Sequence, residues 1–439
     1  MQANRVPGAA LVIVRGSQIV HARGFGDDGA GGPVTPQTGF ILGSMSKSFT
    51  ALAVMQLAEQ GRIDLDAPVQ RYLPWFRVAD PAASAAITVR HALHHTTGLA
   101  THTPHAVEDP LSIAAHVRAL ADVDLAHAPG AVHEYASPNY LVLGAIIEEV
   151  AGQPYADYVE QHIFTPLAMQ HSFTTQEAAM PRGMARGHRY WFGFPLPMVG
   201  THEADRLPTA ALIASAEDLG HFLGMQLDGG RYGGRPLLAP ESLARMHSPG
   251  VQSEGFGYAM GWRTGEIGGA AAIHHGGAIA HFRGKMVLLP GAGWGVAVLA
   301  NVSSALPVGS TAHRMADNIA AHLAGRPLPP ADPWLARVYL ALTLALAALT
   351  WAQLRDIVRL KRWREHLPQR PRRAVRIELA REFLIPAALV LGLPRLLELP
   401  WREILRSMPD LGAWMVLSIG LGWAVAMYKA VVCARPAPP

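Results

Sequence analysis

Four prolines in eight residues, Arg326-Pro-Leu-Pro-Pro-Ala-Asp-Pro333, divide this chain of 439 residues into two parts of different kind. Proline lacks the amide hydrogen a continuing helix needs, so the helical pattern over 311–324 must stop there. Beyond the break, residues 334–354 are nearly all apolar, and so are 411–432. About 20 such residues reach across a bilayer. A third apolar run, 383–399, is interrupted by Arg395 and by Pro386 and Pro394. We read 334–439 as a membrane tail with three transmembrane helices, 334–354, 383–399 and 411–432, and 355–382 as the loop joining the first two. Trp414, Trp423 and Tyr428 suit interfacial anchors. Buried helices of a soluble domain are the competing explanation. The absence of charge over most of the first and third runs argues against it.

Charge follows the same division. The tail carries 16 basic and 7 acidic residues, whereas residues 1–333 carry 21 and 26. The basic excess is therefore local, and no aromatic-basic interleaving suggests nucleic-acid binding. Segment 355–382 holds ten basic residues against Asp356, Glu365, Glu378 and Glu382. The positive-inside rule makes it cytoplasmic. Three crossings then put residues 1–325 outside an inner membrane and Lys429 and Arg435 inside. An exported domain of that size needs a signal peptide, and Met1–Pro7 shows none. We therefore expect a truncated start. The single cysteine, Cys433, permits no disulfide within the chain.

Lysine is scarce: of 37 basic residues only Lys47, Lys285, Lys361 and Lys429 are lysine. A desolvated lysine can release its proton, which arginine cannot. Lys47 lies three residues after Ser44, where an apolar lead, 40–43, meets a helical pattern over Ser46–Gln60. Side chains so spaced project together, and a helix start favours developing negative charge on the serine oxygen. This is the pattern of an activated nucleophile, although a serine there also suits an N-cap. Partners follow in order. Tyr135 and Ser137 precede a helix over 140–151 closed by Gly152. A tyrosine at such a junction can exchange a proton with a nearby serine. His274-His275-Gly276-Gly277 then precede Ala278 and a strand pattern over 281–289, and glycine beside a strand edge admits a close backbone approach.

Together these residues resemble the serine β-lactamase-like superfamily of class C β-lactamases, D-alanyl-D-alanine carboxypeptidases and family VIII carboxylesterases. Its Ser-x-x-Lys, Tyr-x-Asn and Lys/His-x-Gly motifs look like Ser44/Lys47, Tyr135/Ser137 and His275/Gly277. Val6-Pro-Gly-Ala9, 61–69, 71–74 and 95–99 also look like the family. The resemblance covers roughly residues 1–325 and implies a serine hydrolase without a cofactor. Ser44 would form an acyl-enzyme. Lys47 and Tyr135 would share the proton traffic, and the backbone N–H groups of Ser44 and Ala278 would form an oxyanion hole. Ser137, His275 and Gly277 would meet the substrate, an ester, amide or D-amino-acid peptide. Two departures bear on specificity. Ser137 replaces the usual asparagine, and His275 replaces a permanent cation with a side chain largely neutral near pH 7.

The implied fold is α+β, an antiparallel sheet flanked by helices with a mainly helical insertion. The residues agree: a hairpin, 9–15 and 18–23, turns at Gly16-Ser17; strand patterns recur at 258–264, 286–289 and 295–301; helices cluster between about 50 and 250. Two rivals remain. A membrane receptor that binds cell-wall peptides without turnover would keep the same residues. A metal-dependent hydrolase would draw on His91, His94, His95, His102 and His105, but no His-Glu-x-x-His is present, and we expect no metal.

Overall fold

The computed structural model describes all residues except 102–111, 199–205, 254, 304–310, 398–400, 402–403, 406–407 and 435–439. It contains two compact units. The larger comprises Met1, Val6–Arg189 and Pro197–Ala331, and the smaller Gln2–Arg5, Tyr190–Leu196 and Asp332–Pro439.

In the larger unit the described residues form one eight-stranded antiparallel sheet. Its strands are β1 (Gly8–Arg15), β2 (Gln18–Gly26), β3 (Val251–Ser253), β4 (Phe256–Tyr258), β5 (Arg263–Ile267), β6 (Ala270–Ala278), β7 (Arg283–Leu289) and β8 (Trp294–Ala300). Their order is β2-β1-β8-β7-β6-β5-β4-β3, so both ends of the unit build the sheet. Alternation decides which face each residue serves. Val12, Ala297, Met286 and His275 lie in register on one face. Leu11, Val298, Lys285 and Gly276 lie on the other.

Helix α1 (Ser46–Glu59), α2 (Pro138–Ala151) and α3 (Ala216–Leu227) belong to the insertion. Gly220 of α3 has no side chain where a Cβ would meet Val12 and Ile19 at 2.8 Å, so α3 lies close on the first face. Phe49 of α1 stacks on Phe222 of α3 with centroids 4.1 Å apart, and Phe222 stacks in turn on Trp262. Helix α4 (Thr311–Leu323) covers the second face, where Asp317 pairs with Lys285 at 2.5 Å.

The hairpin turns at Gly16, whose φ of +56° is one that glycine adopts without strain. The run expected as one strand over 258–264 is two. Ala259–Trp262 form a turn between β4 and β5, with Gly261 at φ +73° and the Ala259 N–H donating to the Trp262 carbonyl at 2.8 Å. Buried Met260 and Trp262 continue the apolar pattern through that turn and conceal it. His274–Gly277, expected beside a strand, lie inside β6, whose alanines and glycines carry little strand propensity.

Asn301, fully buried, ties the two ends of the unit together. Its Oδ1 accepts from the Gly8 N–H at 2.8 Å and its Nδ2 donates to the Asp27 carbonyl at 3.0 Å. Asn301→Leu leaves the buried Gly8 N–H unpaired and removes the donor to the partly buried Asp27 carbonyl. We predict a loss of about 1–3 kcal/mol, the cost of one unsatisfied buried group, read as a lower urea midpoint with an unchanged slope.

The smaller unit contains α5 (Trp334–His366), α6 (Arg372–Leu397) and α7 (Pro409–Ala434). Windows of α5 and α7 reach mean hydropathies of 1.6 and 1.7 and are only 11% and 28% buried, which is unlike a soluble core helix. Run 383–399 falls in the second half of α6, which contains Pro386 and Pro394; its last two residues lie outside the described set. Segment 355–382, expected as a loop, is helical on both sides of a short link at 367–371. Its arginines, glutamates and leucines are good helix formers, and only Pro368 and Pro371 interrupt them. Trp414 and Trp423, expected as interfacial anchors, each bond a neighbouring helix. Trp414 Nε1 donates to Thr350 Oγ1 at 2.7 Å and Trp423 Nε1 to the Phe383 carbonyl at 3.3 Å.

Candidate active site

Ser44 occupies a single 3-10 turn, Gly43–Met45, that feeds directly into α1. Neither that turn nor α1 receives a side-chain cap, so Ser44 is not an N-cap. Gly43 stands at φ +58°, and a Cβ there would lie 2.6 Å from the Ala278 nitrogen. The turn therefore rests against the end of β6 and brings the backbone of Ala278 beside Ser44. Gly277 has a packing role in the same contact, since its Cβ would lie 1.8 Å from the Leu42 carbonyl oxygen. On its β5 side the strand is paired only as far as His274, which leaves the edge from His275 to Ala278 without a strand neighbour among the described residues.

α1 is buried over most of its length, so its polar side chains must find partners. Segment 207–212 supplies them. Thr50 Oγ1 donates to the Pro208 carbonyl at 2.7 Å, and the Leu212 N–H donates to Ser46 Oγ at 3.3 Å. Lys47 is fully buried; its Nζ donates to Ser44 Oγ at 3.2 Å and to the Thr209 carbonyl at 2.9 Å. Among the described residues no carboxylate pairs with it. Instead, Nζ lies 5.1 Å from the Tyr135 ring centroid and 5.8 Å from that of Tyr140. Tyr135 OH is buried without a partner among the described residues. Ser137 opens α2, and its side chain makes no capping bond.

A chain of neutral rings supports Tyr135. His95 lies 4.3 Å from it, centroid to centroid. The Ala136 N–H donates to His95 Nδ1 at 3.2 Å, and Asn139 Nδ2 is 3.1 Å from the same nitrogen. That fixes the tautomer: Nε2 carries the hydrogen and donates to Tyr258 OH at 3.1 Å. Tyr258 OH is then free to donate to His275 Nε2 at 3.3 Å, and His275 Nδ1 donates to the Gly276 carbonyl at 2.8 Å. Every bond runs in one direction, and each ring is uncharged. Burial holds His95 and His275 well below the ordinary histidine pKa; Lys47 adds to this for His95, and Arg263 and then Lys47 for His275. Burial pushes Tyr258 well above its ordinary value. Both His275 nitrogens are thus engaged inside the protein.

Two of the other histidines singled out in the sequence have structural partners. His91 completes a capping box at Thr88, and His94 Nδ1 lies 3.3 Å from the Tyr258 carbonyl. His102 and His105 lie outside the described residues. Arg263, on β5 opposite His274, was not picked out by sequence. Its guanidinium carbon stands 5.6 Å from the Tyr135 centroid and 4.5 Å from that of Phe256, and its Nε is buried without a partner among the described residues. The only sequence signal was a lone arginine in a strand beside the histidine motif.

The buried histidines set an acid limit. Burial lowers His94 and His247 to about 4, and His274 and His313 to about 3, with nearby cations contributing for all but His247. The unfolded chain binds protons near pH 6.5 and the folded chain does not, so stability is complete above that pH and falls as pH drops below it. We predict that the urea midpoint holds from pH 8 to 7 and falls steadily from pH 6.5 to 5. Each such histidine adds about 1.4 kcal/mol per pH unit to the slope.

A buried lysine between a serine hydroxyl and a tyrosine, held at the edge of an antiparallel sheet, defines the β-lactamase and penicillin-binding class of serine hydrolase folds. Comparison with known proteins agrees. A family model described as Beta-lactamase matches residues 1–321, and the chain belongs to that family. Penicillin-binding protein 4 of Amycolatopsis lactamdurans is 32% identical over 312 residues, covering 68% of this chain and 81% of that one. Protein flp of Staphylococcus aureus (strain MW2) is 29% identical over 310 residues, 69% of this chain. The match spans only 61% of the flp protein's length. The structure of the octameric penicillin-binding protein homologue from Pyrococcus abyssi superposes with a TM-score of 0.66 at 26% identity, covering 77% of this chain and 78% of that one.

Proposed function

We propose that the chain is a membrane-anchored serine hydrolase that acts by acyl transfer through Ser44. The observation that carries this is Lys47 Nζ at 3.2 Å from Ser44 Oγ, buried and without a carboxylate, beneath a tyrosine whose hydroxyl is unpartnered among the described residues. Ser44 Oγ attacks the substrate carbonyl as its proton passes to whichever of Lys47 and Tyr135 is unprotonated in the reactive state. The backbone N–H groups of Ser44 and Ala278 receive the oxyanion. Collapse breaks the bond to the leaving group, which takes a proton from the Tyr135 side. Water then adds to the acyl carbon, the ester to Ser44 breaks, and the serine regains its proton. The extended edge after His274 suits a peptide or amide backbone, and Ser137 is proposed to meet the same substrate. We further propose that α5, α6 and α7 anchor the chain as a multi-pass tail, with the hydrolase unit extracytoplasmic and residues 355–382 cytoplasmic.

The test uses the full chain with p-nitrophenyl esters, D-amino-acid amides and a chromogenic cephalosporin. Ser44→Ala should lose fluorophosphonate labelling and all hydrolysis while melting at the wild-type temperature. Full labelling of the folded variant would move the nucleophile elsewhere and sink the assignment.

Arg263 favours a refinement of substrate. With His275 neutral and engaged, Arg263 is the permanent cation beside Tyr135, and an arginine presents a planar fork that matches a carboxylate. Substrates with a free carboxylate on the leaving side then remain eligible alongside neutral esters. Arg263→Gln should lower kcat/KM for a carboxylate-terminated D-peptide by on the order of tenfold to a hundredfold, from the ~1.5–3 kcal/mol of a charge-assisted bond. Hydrolysis of a neutral p-nitrophenyl ester should change less than twofold. An equal loss on both substrates would show that Arg263 only supports the Tyr135 ring.

A further inference from the structure

A polar cavity of about 420 Å³ lies wholly within the helical unit, among α5, α6 and α7. Six cationic side chains line it against three carboxylates. The carboxylates are already matched. Glu378 pairs with Arg370 at 2.6 Å and with Lys429 at 2.8 Å, Glu382 with Lys429 at 2.5 Å, and Asp356 with Arg355 at 3.5 Å. Arg359, Arg362 and Arg381 are left over, and none of them pairs with a carboxylate among the described residues. Arg355, Arg359 and Arg362 are spaced to share one face of α5. Trp363 also lines the cavity, and its indole Nε1 is buried without a partner among the described residues. Three surplus positive charges and an unused donor around one cavity call for an anion with several acceptor oxygens.

Helix length sets the depth. α5 has 33 residues. At a rise of 1.5 Å per residue it is about 50 Å long, whereas a bilayer's hydrocarbon core is about 30 Å thick. Its first 21 residues carry only Arg337, and its charged residues are concentrated after Leu354. The charged end therefore stands at headgroup depth. The first turns of α6 and the last turns of α7 meet it there through Glu378, Glu382 and Lys429.

We propose that this cavity binds the phosphate-bearing headgroup of an anionic membrane lipid. The inference rests on the membrane-anchored reading above. It needs no activity at Ser44.

The experiment inserts the full chain into nanodiscs holding equal amounts of phosphatidylglycerol and phosphatidylcholine, then quantifies the lipid that stays bound after detergent extraction. Phosphatidylglycerol should be retained in clear preference. R359Q/R362Q/R381Q should weaken its retention by on the order of a hundredfold, the scale of three basic side chains near an anionic surface. Helicity and ester hydrolysis should stay unchanged. R359K/R362K/R381K should recover most of the preference, because the charge is kept. Equal retention of the two lipids, or undiminished preference in the glutamine variant, would overturn the site. Displacement of phosphatidylglycerol by inorganic phosphate at matched concentration would assign the cavity to a free anion and overturn the lipid. A chain that does not enter the disc overturns the anchoring and the lipid site together. One that enters without preference overturns the site alone.

Discussion

The buried Lys47 side chain is the point on which the site depends. Its amine has no carboxylate partner among the described residues, and a buried polar group is costly unless it is hydrogen-bonded; this one is held by the Ser44 hydroxyl, the Thr209 carbonyl and two tyrosine rings. None of these partners is local except Ser44. Thr209 comes from a segment 162 positions away, and Tyr135 and Tyr140 flank the start of α2. α1 must therefore be clamped before its lysine is satisfied. The Thr50 and Ser46 bonds to the same 207–212 segment supply that clamp. Helix α1, segment 207–212 and the Tyr135 junction converge on one nitrogen.

Next to Lys47 the protein places uncharged rings. His95, Tyr258 and His275 would each repel or compete with Lys47 if ionised, and burial keeps all three neutral. Their hydrogen bonds run one way, from the Ala136 amide to the Gly276 carbonyl, so no ring can switch tautomer without breaking its neighbour's bond. Tyr135 is packed against a fixed wall. The cost is borne at low pH, where each buried imidazole favours the unfolded chain.

Much of the fold was legible because its strands and helices are punctuated locally. Gly16 closes the hairpin, Gly152 at φ +73° closes α2, and Pro290–Gly293 turns β7 into β8. Illegible parts are those where burial overrides local pattern. The turn at 259–262 hides behind Met260 and Trp262, and the 355–382 helices hide behind their charge. At the site, Ser44, Lys47 and Tyr135 could be read from spacing, and the structure brings them together. The partners of His275 could not, since Tyr258 and His95 reach it from distant segments. Arg263 was invisible for the same reason: one arginine among 33 has no sequence signature, and only strand pairing sets it beside His274.

The four lysines show what the scarcity of that residue means. Lys361 is exposed, but Lys47, Lys285 and Lys429 are 0%, 8% and 4% exposed, a surprising share for so long and hydrated a side chain. Lys285 pairs with Asp317, and Lys429 with Glu378 and Glu382. Lysine thus occurs where a compact ammonium fits a buried slot that a planar guanidinium would overfill. Scarcity alone therefore marks burial, not chemistry. What separates Lys47 from the other two is its company: they pair with carboxylates, whereas Lys47 faces a serine hydroxyl, a carbonyl oxygen and aromatic rings. That company is what the proposed proton transfer with Ser44 requires.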